Sequence, residues 1–378
     1  MNLFDTQGNA ERGLLLASRV DPKYRPVFDG LPDRDRAALA LYFLPHGSKK
    51  DLLEVSRPRV LKWYCPFADQ AKFPSGHRYC VNVYAGCEHR CEYCYAAGYV
   101  AGEAHCKNSF RGDLARDLDG LDAYDVPPAP VHLSNSTDAL QPLEIEYRHC
   151  LFALEKLAER RHRFTTVTLL TKNPAMLLDE RYVDVLHRLN TLASDHPRSA
   201  WFKEHGHPPL RIEVSLAFWN DEHRRLLDAA APSVESRMAA IRFLRKEQLP
   251  VHLRIDPLFP RDPLPGGKRM EDYCLPDVQP LADLESLVRF CGEVGVGKII
   301  HSVAKITLPR DGRLSTVMGR MKQVYEHLAP KGSLVFRGGS WRLPESMAAE
   351  LVAAPFVDLC RQHAIPAQAC KANLISTP

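Results

Sequence analysis

The run Cys80-Val81-Asn82-Val83-Tyr84 leads directly into Ala85-Gly86-Cys87-Glu88-His89-Arg90-Cys91-Glu92-Tyr93-Cys94-Tyr95. Residues 79–84 are rich in aromatic, β-branched and apolar side chains and read as a strand. Residues 85–95 read as a loop, with cysteines spaced C-x3-C-x2-C. Cysteines crowded into one loop in this way point to metal ligation. A structural zinc site takes four ligands. His89 could be the fourth, but it sits inside the loop, where the geometry is poor. A [4Fe–4S] cluster normally takes four thiolates. Three from one tight loop leave one iron open, a reactive coordination site for which a structural centre has no use.

Outward from this loop the chain alternates strand and helix signals. Val131–Ser134, Thr166–Leu170, Ile212–Ala217, Val251–Ile255 and Lys298–Val303 are apolar, β-rich runs. Between them lie helical patterns near 143–158, 178–189 and 281–293 and a helix opening at Ser233, a plausible N-cap. Six strands in this rhythm imply parallel βαβ units. An open doubly wound sheet and a full or partial barrel both satisfy the pattern. In either, functional groups belong at the C-terminal ends of the strands. Residues 1–75 read as an N-terminal extension, 76–305 as the α/β core and 306–378 as a C-terminal extension with helices near 315–328 and 345–363.

With 378 residues, 45% hydrophobic and 25% charged, the chain can build a core without staples, which excludes disordered and collagen-like classes. A formal charge of +4 is too small to imply nucleic acid by itself. No apolar run approaches the roughly 20 residues of a membrane span, and Met1–Asp5 lacks a signal-peptide layout. The expectation is a cytoplasmic protein. Eleven cysteines, an odd number, argue for metal or redox chemistry rather than a disulfide framework.

The cysteine loop, with Tyr93 before its last cysteine, resembles that of the radical S-adenosylmethionine superfamily. The resemblance narrows to the spore photoproduct lyase-like group over about residues 80–305. It is carried by Asn82–Cys87, Ser136-Thr137-Asp138-Ala139-Leu140-Gln141-Pro142-Leu143-Glu144, Thr171-Lys172-Asn173, Val214-Ser215-Leu216, Ala230–Ser233 with Arg237, and Arg254–Pro260. It implies a partial (β/α)6 barrel and a [4Fe–4S] cluster on Cys87, Cys91 and Cys94. The open iron would chelate S-adenosylmethionine, which is split to a 5′-deoxyadenosyl radical. Tyr93, Ser136, Asp138, Lys172 and Ser215 match cofactor-side positions. Lys172 suits the methionyl carboxylate. Tyr95 matches a tyrosine of the lyase's radical relay. Arg254 and Asp256 alternate along one strand and share a face, as substrate contacts or as a structural ion pair; Glu213 is a weaker candidate of the same kind. The lyases carry a hydrogen-donating cysteine where this chain has Asn135, which speaks against photoproduct repair.

Cys150, Cys291 and Cys360 lie on apolar helical faces and read as core. Cys65, Cys106, Cys274 and Cys370 are open. Three of them with Cys274 among them could hold a second cluster and make sulfur insertion the reaction; otherwise Cys274 or Cys106 could be a lone hydrogen donor. Cys274 is taken as a catalytic candidate because it follows the Arg254–Asp256 strand. His205 and His207 read as surface histidines, and Lys49-Lys50 and Arg160–Arg163 as solvated faces. The leading expectation is a radical enzyme acting on a nucleoside- or nucleotide-like small molecule in biosynthesis, reduced by a donor such as flavodoxin or ferredoxin. A DNA repair lyase and a non-catalytic metal-binding protein are the alternatives.

Overall fold

The computed structural model describes residues 8–20, 25–29, 31–44, 60–63, 79–100, 103–191 and 208–370. Lys49, Lys50, Cys65, His205 and His207 lie outside the described residues. The body is one sheet. Its strands are β1 (Leu61–Lys62), β2 (Tyr79–Val81), β3 (Ala129–Leu133), β4 (Phe164–Thr171), β5 (Leu210–Ser215), β6 (Val251–Leu258) and β7 (Ile299–Val303). They lie side by side in chain order. From β2 to β7 every neighbouring pair is parallel. Parallel neighbours need a crossover, and helices Phe110–Ala123, His149–Glu159, Glu180–Leu189, Val234–Lys246 and Leu281–Val294 lie in the connections. These are the six strands and the partial (β/α)6 barrel read from the sequence.

The C-terminal residues add a small antiparallel sheet of β8 (Ile306–Thr307), β9 (Val335–Arg337) and β10 (Ser340–Arg342). A last strand, β11 (Ala367–Ala369), returns to the main sheet and pairs parallel with β7. At the other edge β1 pairs antiparallel with β2. The sheet is therefore open, with both ends of the six-strand core covered, which shields otherwise unpaired backbone groups.

Alternation along the strands divides their residues between two faces. On β5, Arg211, Glu213 and Ser215 line a cavity, while Leu210, Ile212 and Val214 are fully buried. Helices cover that second face with apolar stripes such as Leu284, Leu287, Val288 and Cys291, all buried. Cys150 and Cys360 are buried too, as expected of core cysteines. Ser233 caps its helix by accepting from Ser236 N (3.2 Å).

Two helical readings change. The segment near 143–158 is not one helix: Arg148, at φ 50°, separates Leu143–Tyr147 from His149–Glu159. The fully buried Glu144 carboxylate accepts from Cys150 N (2.8 Å) and Leu151 N (3.0 Å), at the start of the second helix. There it meets the partial positive charge of free N–H groups. It also accepts from the Tyr84 and Tyr182 hydroxyls. The segment near 345–363 carries a π-helical stretch, Ala348–Ala353, just before Pro355. Proline offers no N–H to the helical ladder there.

Replacing Glu144 with Ala strands two buried hydroxyls and two backbone N–H groups. Each unmet group costs about 1–3 kcal/mol. Urea unfolding should show a loss of at least about 3 kcal/mol for Glu144→Ala, and a clearly smaller one for Glu144→Gln, which keeps an acceptor.

Candidate active site

A cavity of 460 Å³ contains residues from the C-terminal halves of the strands and from the loops beyond them. Cys87, Cys91 and Cys94 line it together, and none is in a disulfide. Their loop is not held by a ladder. Gly86 sits at φ 71°, and a Cβ there would come within 2.8 Å of the Ala104 backbone, so the turn needs glycine. The segment after β3 then clasps the loop. Gln141 accepts from Glu88 N (2.7 Å), Glu88 accepts from Leu143 N (2.7 Å), and the Thr137 hydroxyl donates to Gly86 O. Asn82 accepts from Asn135 N (3.0 Å) and Ser136 N (3.3 Å). Apart from Glu88 and Asn135, these residues belong to the segments that carried the sequence resemblance, and together they tie β2 and the cysteine loop to the segment after β3.

Behind Cys91 stands Asp228, fully buried. Its Oδ1 accepts from the Cys91 thiol (2.8 Å) and its Oδ2 faces Lys172 Nζ (3.1 Å) and Arg237 Nη2 (3.1 Å). Burial pushes the Asp228 carboxyl up, but Lys172 and Arg237 outweigh it and hold the group well below the usual range. Lys172 Nζ also donates to Tyr93 Oη (2.6 Å) and Ser215 Oγ (3.2 Å). Arg237 donates to Ser215 O (2.9 Å). Tyr93 packs against Phe259, ring centroids 5.8 Å apart. Burial raises the thiols, Cys87 to about 12 and Cys91 and Cys94 in the same direction. A metal centre would take them as thiolates, so loading it releases protons.

Tyr93, Lys172 and Ser215 thus meet beside the cysteines, as the sequence suggested. Asp138 is close but otherwise engaged. It accepts from Leu140 N (2.9 Å), Thr171 Oγ1 (2.8 Å) and Lys172 N (2.6 Å), and its Oδ2 lies 3.2 Å from His89 Nε2. It positions the lysine and His89. Ser136 lines the cavity with its Oγ 3.2 Å from Tyr99 Oη. Among the described residues no three His, Cys, Asp or Glu side chains converge on a site for a single metal ion. A cluster holds its ligands around a wider body, and the three thiols on one wall fit that demand.

Arg254 donates to Glu213 Oε2 (2.6 Å) and Asp256 Oδ2 (2.5 Å), and Ser302 donates to Asp256. All four line the cavity, so the shared face is the interior one and the ion pair forms within it. Tyr95 lines the cavity and donates to the Asn135 carbonyl. Cys274 is not brought there. It ends the 3-10 turn Met270–Tyr273 at φ 55° and is exposed outside the cavity. Cys106 is also elsewhere, its Sγ 3.1 Å from His149 Nε2. Cys370 does reach the cavity, with Arg254 Nη2 3.1 Å from its Sγ. The three described cysteines of the suggested second cluster therefore occupy separate places. Sequence reasoning missed Asp228, whose helix Asp221–Asp228 has the charge density of a solvated face.

Against solved structures the match is clear. A tyrosine-substituted spore photoproduct lyase superposes with a TM-score of 0.53 over 85% of this chain and 81% of that one, at 13% identity. The chain has the spore photoproduct lyase fold. A variant of that lyase with bound AdoMet and dinucleoside spore photoproduct gives 0.50 over 82% and 80%, again at 13% identity. Among curated proteins, the uncharacterized protein MJ0683 of Methanocaldococcus jannaschii is 24% identical over 190 residues, 49% of this chain. The match spans 62% of that protein, less than two thirds of its length. No protein-family model matches.

Removing the Asp228 carboxylate leaves Lys172 and Arg237 uncompensated in the interior. Breaking a buried pair in this way costs about 3–5 kcal/mol. Asp228→Ala should lose stability of that order in urea unfolding, and adding Lys172→Met should restore part of it. Equal stability of Asp228→Ala and the parent would show that the carboxylate does not organise this wall.

Proposed function

We propose that the protein is a radical S-adenosylmethionine enzyme that takes a hydrogen atom from a nucleoside- or nucleotide-like substrate in a biosynthetic step. The observation that carries this reading is a cavity that brings together three thiols, a lysine and serine beside them, and a polar ion-paired wall. A [4Fe–4S] cluster on Cys87, Cys91 and Cys94 with S-adenosylmethionine would supply a 5′-deoxyadenosyl radical once reduced by a flavodoxin- or ferredoxin-type donor. Lys172 then offers its ammonium to the methionyl carboxylate, with Ser215 and Ser136 as further polar contacts and Tyr93 packing alongside. Asp228 and Asp138 act on the site through Lys172, as positioning residues.

Arg254, Asp256 and Glu213 present donors and acceptors to the substrate, and hydroxyl- and amide-rich molecules match such a wall. The dinucleoside in a lyase of the same fold supports a nucleoside-like class. Photoproduct repair is less well supported. Asn135 commits its amide to Cys80 Sγ (2.7 Å), and an amide N–H is a poor hydrogen-atom donor. Sulfur insertion loses its footing because Cys106 and Cys274 lie away from the cavity. Among the described residues no helix is long and apolar enough to cross a membrane, and we place the reaction in the cytoplasm.

Anaerobically reconstituted protein should contain a [4Fe–4S] centre and convert S-adenosylmethionine to 5′-deoxyadenosine under reduction. Replacing Cys87, Cys91 and Cys94 together with Ala should abolish both; a fully active triple variant would overturn the reading. Lys172→Ala removes a charge-assisted contact worth about 1.5–3 kcal/mol. Cofactor affinity should fall roughly 10- to 150-fold at that magnitude, with the iron content unchanged. Equal affinity would remove Lys172 from the cofactor site.

A further inference from the structure

Beyond Cys87, Cys91 and Cys94, one further cysteine among the described residues lines the cavity, Cys370. It follows β11, and its N–H donates to His301 O (2.6 Å), extending the pairing with β7. β2, which feeds the cysteine loop, and β11 lie near opposite ends of the strand order. The curled sheet therefore brings the cluster loop and Cys370 to one cavity from opposite edges. Arg254 Nη2 donates to the Cys370 sulfur (3.1 Å), which fixes the sulfur and leaves its own hydrogen free of that bond. A second feature of the same cavity points to a bound molecule. Ser134 lines it, is fully buried and has an Oγ with no hydrogen-bond partner. A buried hydroxyl is rarely left unmet, and a polar group of a ligand would complete it.

We propose that Cys370 is the hydrogen-atom donor to a carbon radical formed in this cavity, an inference that rests on the proposed radical chemistry. The S–H bond breaks homolytically and a C–H bond forms. The carbon radical becomes a closed-shell product and Cys370 becomes a thiyl radical. One electron from the flavodoxin- or ferredoxin-class donor and one proton from solvent restore the thiol. An S–H bond is weaker than an ordinary C–H bond, so the transfer runs downhill. The role needs a protonated sulfur. Burial raises the Cys370 thiol, Asp256 and Glu213 add to this, and Arg254 opposes it without prevailing. The carboxylates that hold Arg254 thus also help to keep the thiol protonated. The donor stands on β11, far in the chain from Asn135 on the loop after β3.

The test needs no knowledge of the substrate. Reduced, reconstituted protein is given S-adenosylmethionine in D2O, where thiol hydrogens exchange and carbon-bound ones do not. The 5′ carbon radical then stands in for the substrate radical, and the mass of 5′-deoxyadenosine reports its hydrogen source. The parent should yield a singly deuterated product. Cys370→Ser and Cys370→Ala should lower that fraction at least fivefold, with iron content and thermal unfolding unchanged. Equal deuterium in parent and variants, or none in the parent, would overturn the assignment while leaving the radical chemistry standing. No 5′-deoxyadenosine from any of them would overturn both. Independently of turnover, iodoacetamide at pH 7.5 should alkylate exposed Cys274 several-fold faster than Cys370 in the reconstituted protein, read by peptide mass. Equal rates would show that Cys370 is not a sequestered thiol.

Discussion

The site depends on one buried carboxylate. Asp228 has no exposed surface, and a lone anion in such a place costs several kcal/mol. Two cations offset this, Lys172 from the end of β4 and Arg237 from the helix Val234–Lys246. Arg237 passes the order on by binding the Ser215 carbonyl at the end of β5, and the Cys91 thiol ties the cysteine loop to the same carboxylate. Four segments distant in sequence are thereby pinned at one point. Nearby, the backbone adds another tie, from Glu92 N to Leu227 O (2.9 Å).

The cysteine loop itself has no regular structure with which to satisfy its backbone. Its polar groups still need partners. Side chains from 136–144 provide several of them, and the same stretch supplies Asp138 to Lys172 and Glu144 to the next helix. One peptide thus aligns the loop, the lysine and the helix behind them. Its polar residues Thr137, Asp138, Gln141 and Glu144 are each engaged by specific partners. Asp138 lines the cavity and is itself held in this way, with four partners around its two oxygens.

The six strands were legible because their apolar runs are bounded and buried on both faces, as in any parallel sheet with covered sides. Cys87, Cys91 and Cys94, with Lys172 and Ser215, were legible through local spacing and resemblance. What escaped was set by long-range contacts. Nothing local announces that Arg148 adopts a left-handed conformation, since the break is stabilised by Glu144 and its tyrosine partners. Asp228 belongs to the run Asp-Glu-His-Arg-Arg-Leu-Leu-Asp, in which a buried carboxylate looks like its exposed neighbours. Cys274 follows a cavity strand in sequence, but the chain turns away after it. Cys370 is more than a hundred residues from Arg254 and reaches it only because β11 comes back to the sheet.

That return gives the cavity its two unlike walls. On one side, Lys172 faces a fixed carboxylate and a set of thiols, a wall suited to a charged, chelating molecule. On the other, Arg254 is held between Glu213 and Asp256, so its positive charge is balanced within the protein. A substrate against that wall meets directional donors and acceptors more than a net field, which favours shape and hydrogen-bond pattern over charge in its selection. The balance also stiffens the wall. Arg254 has little freedom to follow a ligand, and Ser302 holds Asp256 from the far side. The paired charges of β5 and β6 thus hold one wall of the cavity in place.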